Sequence, residues 1–166
     1  MSLNPALEEA RFCPRCGQPA SVDYPRSINC PHCGYGAYYN PKPVAAAIPV
    51  TPDGHIILLR RGFDPGKDLW TFPGGFVDLG ESVEEAAQRE AQEELEIEIE
   101  LTDLVGVYSN QTDRVVLIVF AATTTQPPQT TPEATEVTTF HPDEIPWQEL
   151  AFWSTTNALK DFLARS

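Results

Sequence analysis

The sequence predicts an α/β domain carrying a small metal-knit module at its N-terminal end, and three observations predict it. All four cysteines fall in two Cys-x2-Cys-Gly repeats before residue 35. Behind them, short apolar runs bounded by Pro, Gly and Asp alternate with two segments of helical period. A chain of 166 residues buries one sizeable core, with room for one small appendage.

The appendage comes first. Residues 1–11 hold a short helical turn after Asn4-Pro5. Then FCPRCG and CPHCG supply Cys13, Cys16, Cys30 and Cys33, the spacing of two knuckles around one tetrahedral ion. In a cytosolic protein four thiolates so placed read as structural zinc, Zn2+, rather than as two disulfides. Gly17 and Gly34 permit the tight turns that aim backbone amides at sulfur. His32, inside the second knuckle, is a loop residue, because the thiolates already complete the site. The segment is too poor in apolar residues to fold alone, so the metal supplies much of its folding free energy. The module is expected to span 1–40 and the main domain 41–166.

In the main domain, residues 44–50 and 56–59 pair as a hairpin across Pro52-Asp53-Gly54. Residues 62–69 form a loop, and Trp70 and Phe72 belong to the core. Pro73-Gly74-Gly75 makes a turn with dihedrals closed to other residues, letting the backbone approach a pyrophosphate. Residues 99–108 and 114–123 are strands; the second, rich in VVLIVFAA, lacks alternation and is expected to be central and buried on both faces. Residues 124–132 are a surface loop, 137–140 a short strand and 143–147 a turn. Residues 152–163 close the chain as an amphipathic helix with Phe152, Trp153, Leu159, Phe162 and Leu163 on its apolar face. His55 and His141 read as loop residues rather than bases.

The chemistry concentrates in residues 74–97, GGFVDLGESVEEAAQREAQEELEI. Ser82 and Glu85 form a capping box, and Glu84 and Glu85 suit the positive end of a helix. Ala86, Ala87 and Ala91 allow close packing on a sheet. Glu90, Glu93 and Glu94, at i, i+3 and i+4, share one face and repel unless a cation sits among them. Mg2+ or Mn2+, which take carboxylate oxygens together with waters and substrate phosphates, fit that description. Arg89 can orient one carboxylate by a bidentate pair but cannot neutralise three. An acidic run of this kind is more often a solvated face; the glycine turn ahead of it favours the metal.

The pattern Gly75-x5-Glu81-x7-Arg89-Glu90-Ala91-Gln92-Glu93-Glu94 resembles the Nudix box of hydrolases that cleave a nucleoside diphosphate linked to another moiety. Where that box usually carries glycine near the helix end, this chain has Glu96. The Cys-x2-Cys-Gly repeats leading into Tyr39-Asn40-Pro41-Lys42-Pro43, and the tail Phe140 to Phe152, resemble zinc-ribbon Nudix hydrolases related to FAD pyrophosphatases, which also accept ADP-ribose. The resemblance implies a Nudix α/β/α sandwich with a mixed sheet behind a zinc ribbon. It implies Glu90, Glu93 and Glu94 as magnesium ligands, with Glu90 also a candidate base. By the same resemblance Arg89 is the orienting residue, Glu81 an accessory acid, Gly74 and Gly75 the substrate-facing turn, and Glu133 or Glu136 a loop glutamate that serves as base in some members. Hydrolysis of FAD or ADP-ribose to AMP and a monophosphate is the implied reaction. The chain lacks the Ser-Gln-Pro-Trp-Pro-Phe-Pro-like segment of NADH pyrophosphatases, which argues against NAD(H) as principal substrate. A pyrophosphatase of oxidised nucleoside triphosphates and a non-catalytic ADP-ribose sensor are the alternatives.

Eleven basic against twenty-four acidic residues give a formal charge of −13, which argues against nucleic acid and anionic membranes as partners. A phosphate-bearing small molecule is compatible, because bound cations invert the local field. No run approaches the roughly eighteen apolar residues of a membrane span, and MSLNPALEEA has no signal-like core. A cytoplasmic location is therefore the default expectation, and homodimer formation is left open.

Overall fold

Strands buried on both faces fix a layered architecture in the larger of two units. The computed structural model, which describes residues 2–165, divides into a first unit that runs to Lys42 and takes in Asn110–Arg114, and a second made of Pro43–Ser109 with the chain from Val115 on. In the first unit α1 (Pro5–Glu8) opens with proline where a missing N–H costs nothing. β1 (Ser21–Asp23), β2 (Ser27–Asn29) and β3 (Gly36–Tyr38) form an antiparallel sheet with Val22 and Ala37 flanking Ile28. Leu7, Cys13, Ile28 and Cys30 are the buried apolar side chains of this unit among the described residues. That is too small a core to hold such a segment without a further cross-link.

The second unit runs β4 (Lys42–Val50), β5 (Ile56–Arg61), β6 (Trp70–Thr71), β7 (Gly74–Phe76), α2 (Val83–Leu95), β8 (Glu100–Tyr108), β9 (Val115–Thr123) and β10 (Ala134–Phe140), then two short 3-10 turns and α3 (Trp153–Leu163). The sheet order is β10-β5-β4-β9-β8, with β6 added to β5 and β7 to β4. The hairpin turn places Val50 opposite Ile56, as its Pro-Asp-Gly sequence requires. Lys42 N–H donates to Arg114 O and, further along both strands, Thr124 N–H donates to Val50 O. β4 and β9 therefore run parallel inside a sheet whose other pairings are antiparallel, and the sheet is mixed.

Successive side chains on a strand point to opposite faces, and here each face has its own core. Ala45, Ala47, Ile57, Leu59, Phe120 and Ala122 meet Ala86, Ala87, Ala91 and Leu95 of α2. Their neighbours Ala46, Ile48, Ile56, Leu58, Leu117 and Val119 meet Ala158 and Leu159 of α3, together with Trp70 and Phe72. The result is an α/β/α sandwich. The three fully buried alanines let α2 lie close to the sheet, so its one polar face is aimed by the packing of the other. Among the described residues no helix is long and apolar enough to cross a membrane.

One element differs from the sequence reading. Trp153 is 41% exposed rather than on the apolar face of α3, because residues 155, 158 and 159 take that face. Thr155 is buried there and its hydroxyl is bonded to that of Thr71 at 3.2 Å. The polar segment after β9 is the expected surface loop, and it is tied down at two points. Gln129 N–H donates to Leu95 O and the Thr131 hydroxyl to Glu94 O, so the loop satisfies carbonyls that the end of α2 leaves open.

Glu96 ends α2 in the left-handed region at φ 56°, its N–H donating to Gln92 O. The exit is the one glycine would take, made by a residue that pays about 1–2 kcal/mol for it. Glu96→Gly is therefore expected to raise stability by about 1 kcal/mol after the entropy glycine adds to the unfolded chain, a calorimetric Tm gain of about 2–4 °C. A lower Tm would contradict strain at this position.

Candidate functional site

α2 begins with both bonds of a capping box: Glu85 N–H donates to the Ser82 hydroxyl and Ser82 N–H to the Glu85 carboxylate. This fixes where the helix starts and hence which face carries Glu90, Glu93 and Glu94. One guanidinium, that of Arg89, serves the cluster. It holds Glu81 by two bonds, Nε to Oε2 at 3.1 Å and Nη2 to Oε1 at 2.8 Å. Nη1 reaches Glu90 Oε1 at 2.8 Å and Glu93 Oε2 at 3.0 Å, and Nη2 also donates to Phe76 O. The bidentate partner is thus Glu81 rather than a helix glutamate. Glu94, 4% exposed, lies apart from Arg89 and accepts the Gly74 N–H on Oε2 at 2.8 Å.

Counting oxygens separates the four acids. Both Glu81 oxygens are occupied, Oε1 also taking the Asp78 N–H, and these bonds hold its carboxyl down at about 2. Glu90, Glu93 and Glu94 each keep one oxygen without a hydrogen-bond donor among the described residues. Burial pushes Glu94 up to about 8 despite the Gly74 N–H, and pushes Glu90 upward despite Arg89. Three oxygens unused on one helix face, two of them on desolvated carboxylates, fit a divalent cation.

Gly74 and Gly75 serve this cluster by a different physical route from the one their sequence implies. Neither has positive φ; both lie in β7, opposite Ala46 and Ala45. A Cβ on Gly74 would overlap Ala46, and one on Gly75 would overlap the Glu90 carboxylate. They are glycines because the strand and the carboxylate stand where side chains would be, and the Gly74 amide is committed to Glu94 rather than open to a substrate.

Of the two loop glutamates, the structure brings one to the cluster. Glu133 precedes β10, its carbonyl accepting the Gly62 N–H, and its charge acts on Glu90 and Glu94. Glu136 does not come to the cluster. A bulge at Thr135, with Ala134 opposite Arg61 but Glu136 opposite Arg60, turns Glu136 to the α3 face. There it pairs with Arg60 at 2.8 Å, and Arg60 in turn lies over Trp70 of the α3-side core. Glu136 thus stands on the face of the sheet opposite the cluster that the expected role of base would need it to reach. The sequence reading also passed over Arg61, whose half-buried guanidinium lies within the field of Glu94 and Glu133. Its signal was the Arg60-Arg61 pair at a strand end, where alternation must send one arginine to each face.

In the first unit the four cysteine sulfurs lie within 4.8 Å of one another. Gly17 and Gly34, at φ 73° and 71°, close each knuckle by donating to Cys13 O and Cys30 O, and Arg15 N–H points at Cys13 Sγ. The amides of Cys33 and His32 pull Cys30 down to about 7. Cys16, although the Gln18 amide opposes it, is pushed up to about 12 by desolvation and the three neighbouring thiols. Four sulfurs this close ionise together only around a cation, and an all-sulfur tetrahedral set suits a soft or borderline ion. His32 is exposed, outside the set.

A family model described as the NUDIX domain matches residues 41–162. The crystal structure of a NUDIX hydrolase from Nitrosomonas europaea superposes with TM-score 0.84 at 30% identity, covering 94% of this chain and 92% of that one. The NAD-capped RNA hydrolase NudC of Haemophilus influenzae strain PittGG is 35% identical over 103 residues, 60% of this chain and 38% of that protein. The ADP-ribose pyrophosphatase of Methanocaldococcus jannaschii is 40% identical over 76 residues, 46% of this chain and 44% of that protein. The chain thus spans less than half the length of these two curated relatives.

The raised carboxyls set a pH dependence. Glu94 and Glu90 bind protons more tightly folded than unfolded, so in magnesium-free buffer stability falls as pH rises from the ordinary value of 4.5 toward 8. Tm is expected to drop between about pH 5 and 8, and added Mg2+ or Mn2+ to raise it more at the upper end. A metal effect equal at both ends, or a Tm that climbs across the window, would contradict this account of the cluster.

Proposed function

The chain belongs to the NUDIX hydrolase family, and on that premise we propose that it is a divalent-metal-dependent pyrophosphohydrolase acting on a nucleoside diphosphate linked to another moiety, with FAD or ADP-ribose as substrate. The observation that carries the reading is the unused oxygen on each of Glu90, Glu93 and Glu94, placed on one helix face beside β7. These three residues are the proposed ligands of Mg2+ or Mn2+. A cation bound there supplies neutralisation of charge on the attacked phosphoryl group and lowers the pKa of water.

The chain's own residues do the rest. Arg89 fixes the rotamers of Glu90 and Glu93, and Glu81, saturated by Arg89 and the Asp78 amide, fixes Arg89. Water attacks one phosphorus, its oxygen forming the new P–O bond while the bridging P–O bond breaks. Glu133 takes the proton, since both oxygens of Glu90 are engaged by Arg89 and the cation, and AMP and the complementary monophosphate leave. ADP-ribose as substrate draws support from the archaeal ADP-ribose pyrophosphatase relative, and FAD from the zinc-ribbon resemblance. In the same reading the four cysteines hold structural Zn2+, making 1–40 a zinc ribbon and 41–166 the hydrolase domain.

A panel of FAD, ADP-ribose, NADH, CoA, diadenosine polyphosphates and oxidised and ordinary dNTPs, with products resolved by chromatography, tests the assignment. AMP with a second monophosphate is expected from FAD or ADP-ribose, only with Mg2+ or Mn2+. Glu93→Gln and Glu94→Gln are expected to lower kcat/KM by about a hundredfold or more with the fold intact by circular dichroism. Release of pyrophosphate from an oxidised dNTP as the fastest reaction would move the protein to nucleotide-pool cleaning. ADP-ribose binding without turnover would make it a sensor.

A further inference from the structure

β5 ends in two arginines that strand alternation sends to opposite faces. Arg60 is spent. It lies over the Trp70 ring, donates to Asp68 O, and pairs with Glu136 and Glu149. Arg61 follows Ile57 and Leu59 on the α2 face and stands opposite Ala134 of β10. Its backbone closes the loop 62–69, its N–H donating to Leu69 O and its carbonyl accepting the Asp68 N–H. Its side chain is held on three sides. Nε donates to Pro65 O at 2.8 Å, and the guanidinium carbon lies 4.8 Å from the Phe63 ring centre and 5.3 Å from that of Phe152.

What the guanidinium lacks is a counter-ion. Among the described residues neither Nη makes a hydrogen bond, and no carboxylate comes within 4.0 Å. The acids whose charge acts on it, Glu94, Glu133 and Asp64 of its own loop, stand just beyond. Glu133 is fixed next to it by the Gly62 N–H bond to its carbonyl, and Thr131, two residues before Glu133, donates to the carbonyl of Glu94. A half-buried cation that is oriented, stacked and left unpaired is costly unless an anion arrives to complete it.

We propose that Arg61 is a substrate-binding residue whose two free Nη groups receive diphosphate oxygens, on the α2 face of the sheet where Glu90, Glu93 and Glu94 leave theirs free. This deepens the pyrophosphohydrolase reading and rests on it. The planar fork of a guanidinium matches two phosphate oxygens as a point charge does not, and its tethering means little freedom is lost on binding. Cations on the glutamates would remove their pull on Arg61, leaving the more distant Asp64 of its own loop and making room for the anion as its direct partner. The loop 62–69 then has a function: through Pro65 O and Phe63 it sets the angle of the fork.

The test uses the full chain with Arg61→Lys, which keeps charge and loses the fork, and Arg61→Gln, which keeps a planar donor and loses charge. Two readouts are needed: steady-state kinetics on ADP-ribose or FAD with Mg2+, and calorimetric binding of α,β-methylene-ADP with Mg2+. Both variants are expected to weaken α,β-methylene-ADP binding about tenfold or more and raise KM by a similar factor, while kcat falls much less and Tm stays within a few degrees of wild type. Kd and KM within twofold of wild type in both variants would overturn the role of Arg61 while leaving the function standing. A wild-type protein that neither turns over the nucleotides nor binds α,β-methylene-ADP would overturn both.

Discussion

Four carboxylates converge on the second half of α2 and the turn that leads into the helix, and a single guanidinium, that of Arg89, makes their ion pairs. Arg89 satisfies Glu81 completely, Glu90 and Glu93 by one oxygen each, and Glu94 not at all. Left without cations, this arrangement works against folding, because Glu90 and Glu94 are desolvated acids with too little positive charge nearby. The surrounding chain is shaped to tolerate it. β7 gives up both side chains at Gly74 and Gly75, one to let the strand seat and one to admit the Glu90 carboxylate. The opposite face of α2 is reduced to alanines so that the helix lies close to the sheet and presents its acids at a fixed height.

That cost makes sense when function is considered together with fold. A stable helix would not bury Glu94 under a strand amide without return; a metal-assisted phosphoryl site would, since the ligands must be held still before the substrate arrives. The same logic extends to the sheet beside the helix. Arg61 is pre-set by its own loop, Glu133 is pinned by Gly62, and the polar segment after β9 is pinned by Thr131 and Gln129 to the end of α2. Side chains on four segments are thereby referred to one helix.

Much of this was legible in the sequence, and where it was not the reason is physical. The capping box, the Pro-Asp-Gly hairpin and the glycines behind each cysteine pair are local signals, set by residues within five positions of one another, and each appears where the sequence places it. The shared face of Glu90, Glu93 and Glu94 follows from helical period alone. Non-local facts did not show. Glu136 shares Ala134's parity, and only the bulge at Thr135 turns it away from α2. Gly74 and Gly75 read as dihedral freedom, yet what they provide is space for partners distant in sequence. Thr155 is polar, and its place on the helix's inner face has no local signal, because its partner Thr71 lies on another element. The grouping of Asn110–Arg114 with the N-terminal unit has no local signature either.

The central claim is that the free oxygens of Glu90, Glu93 and Glu94 exist to hold divalent cations against a diphosphate. Crystals grown with Mn2+ and α,β-methylene-ADP, with data collected at the manganese absorption edge, test it most directly. The account predicts anomalous peaks bonded to oxygens of those three glutamates and to the diphosphate. Carboxylates still bonded only to Arg89 and Gly74, with no manganese between them and the nucleotide, would contradict it.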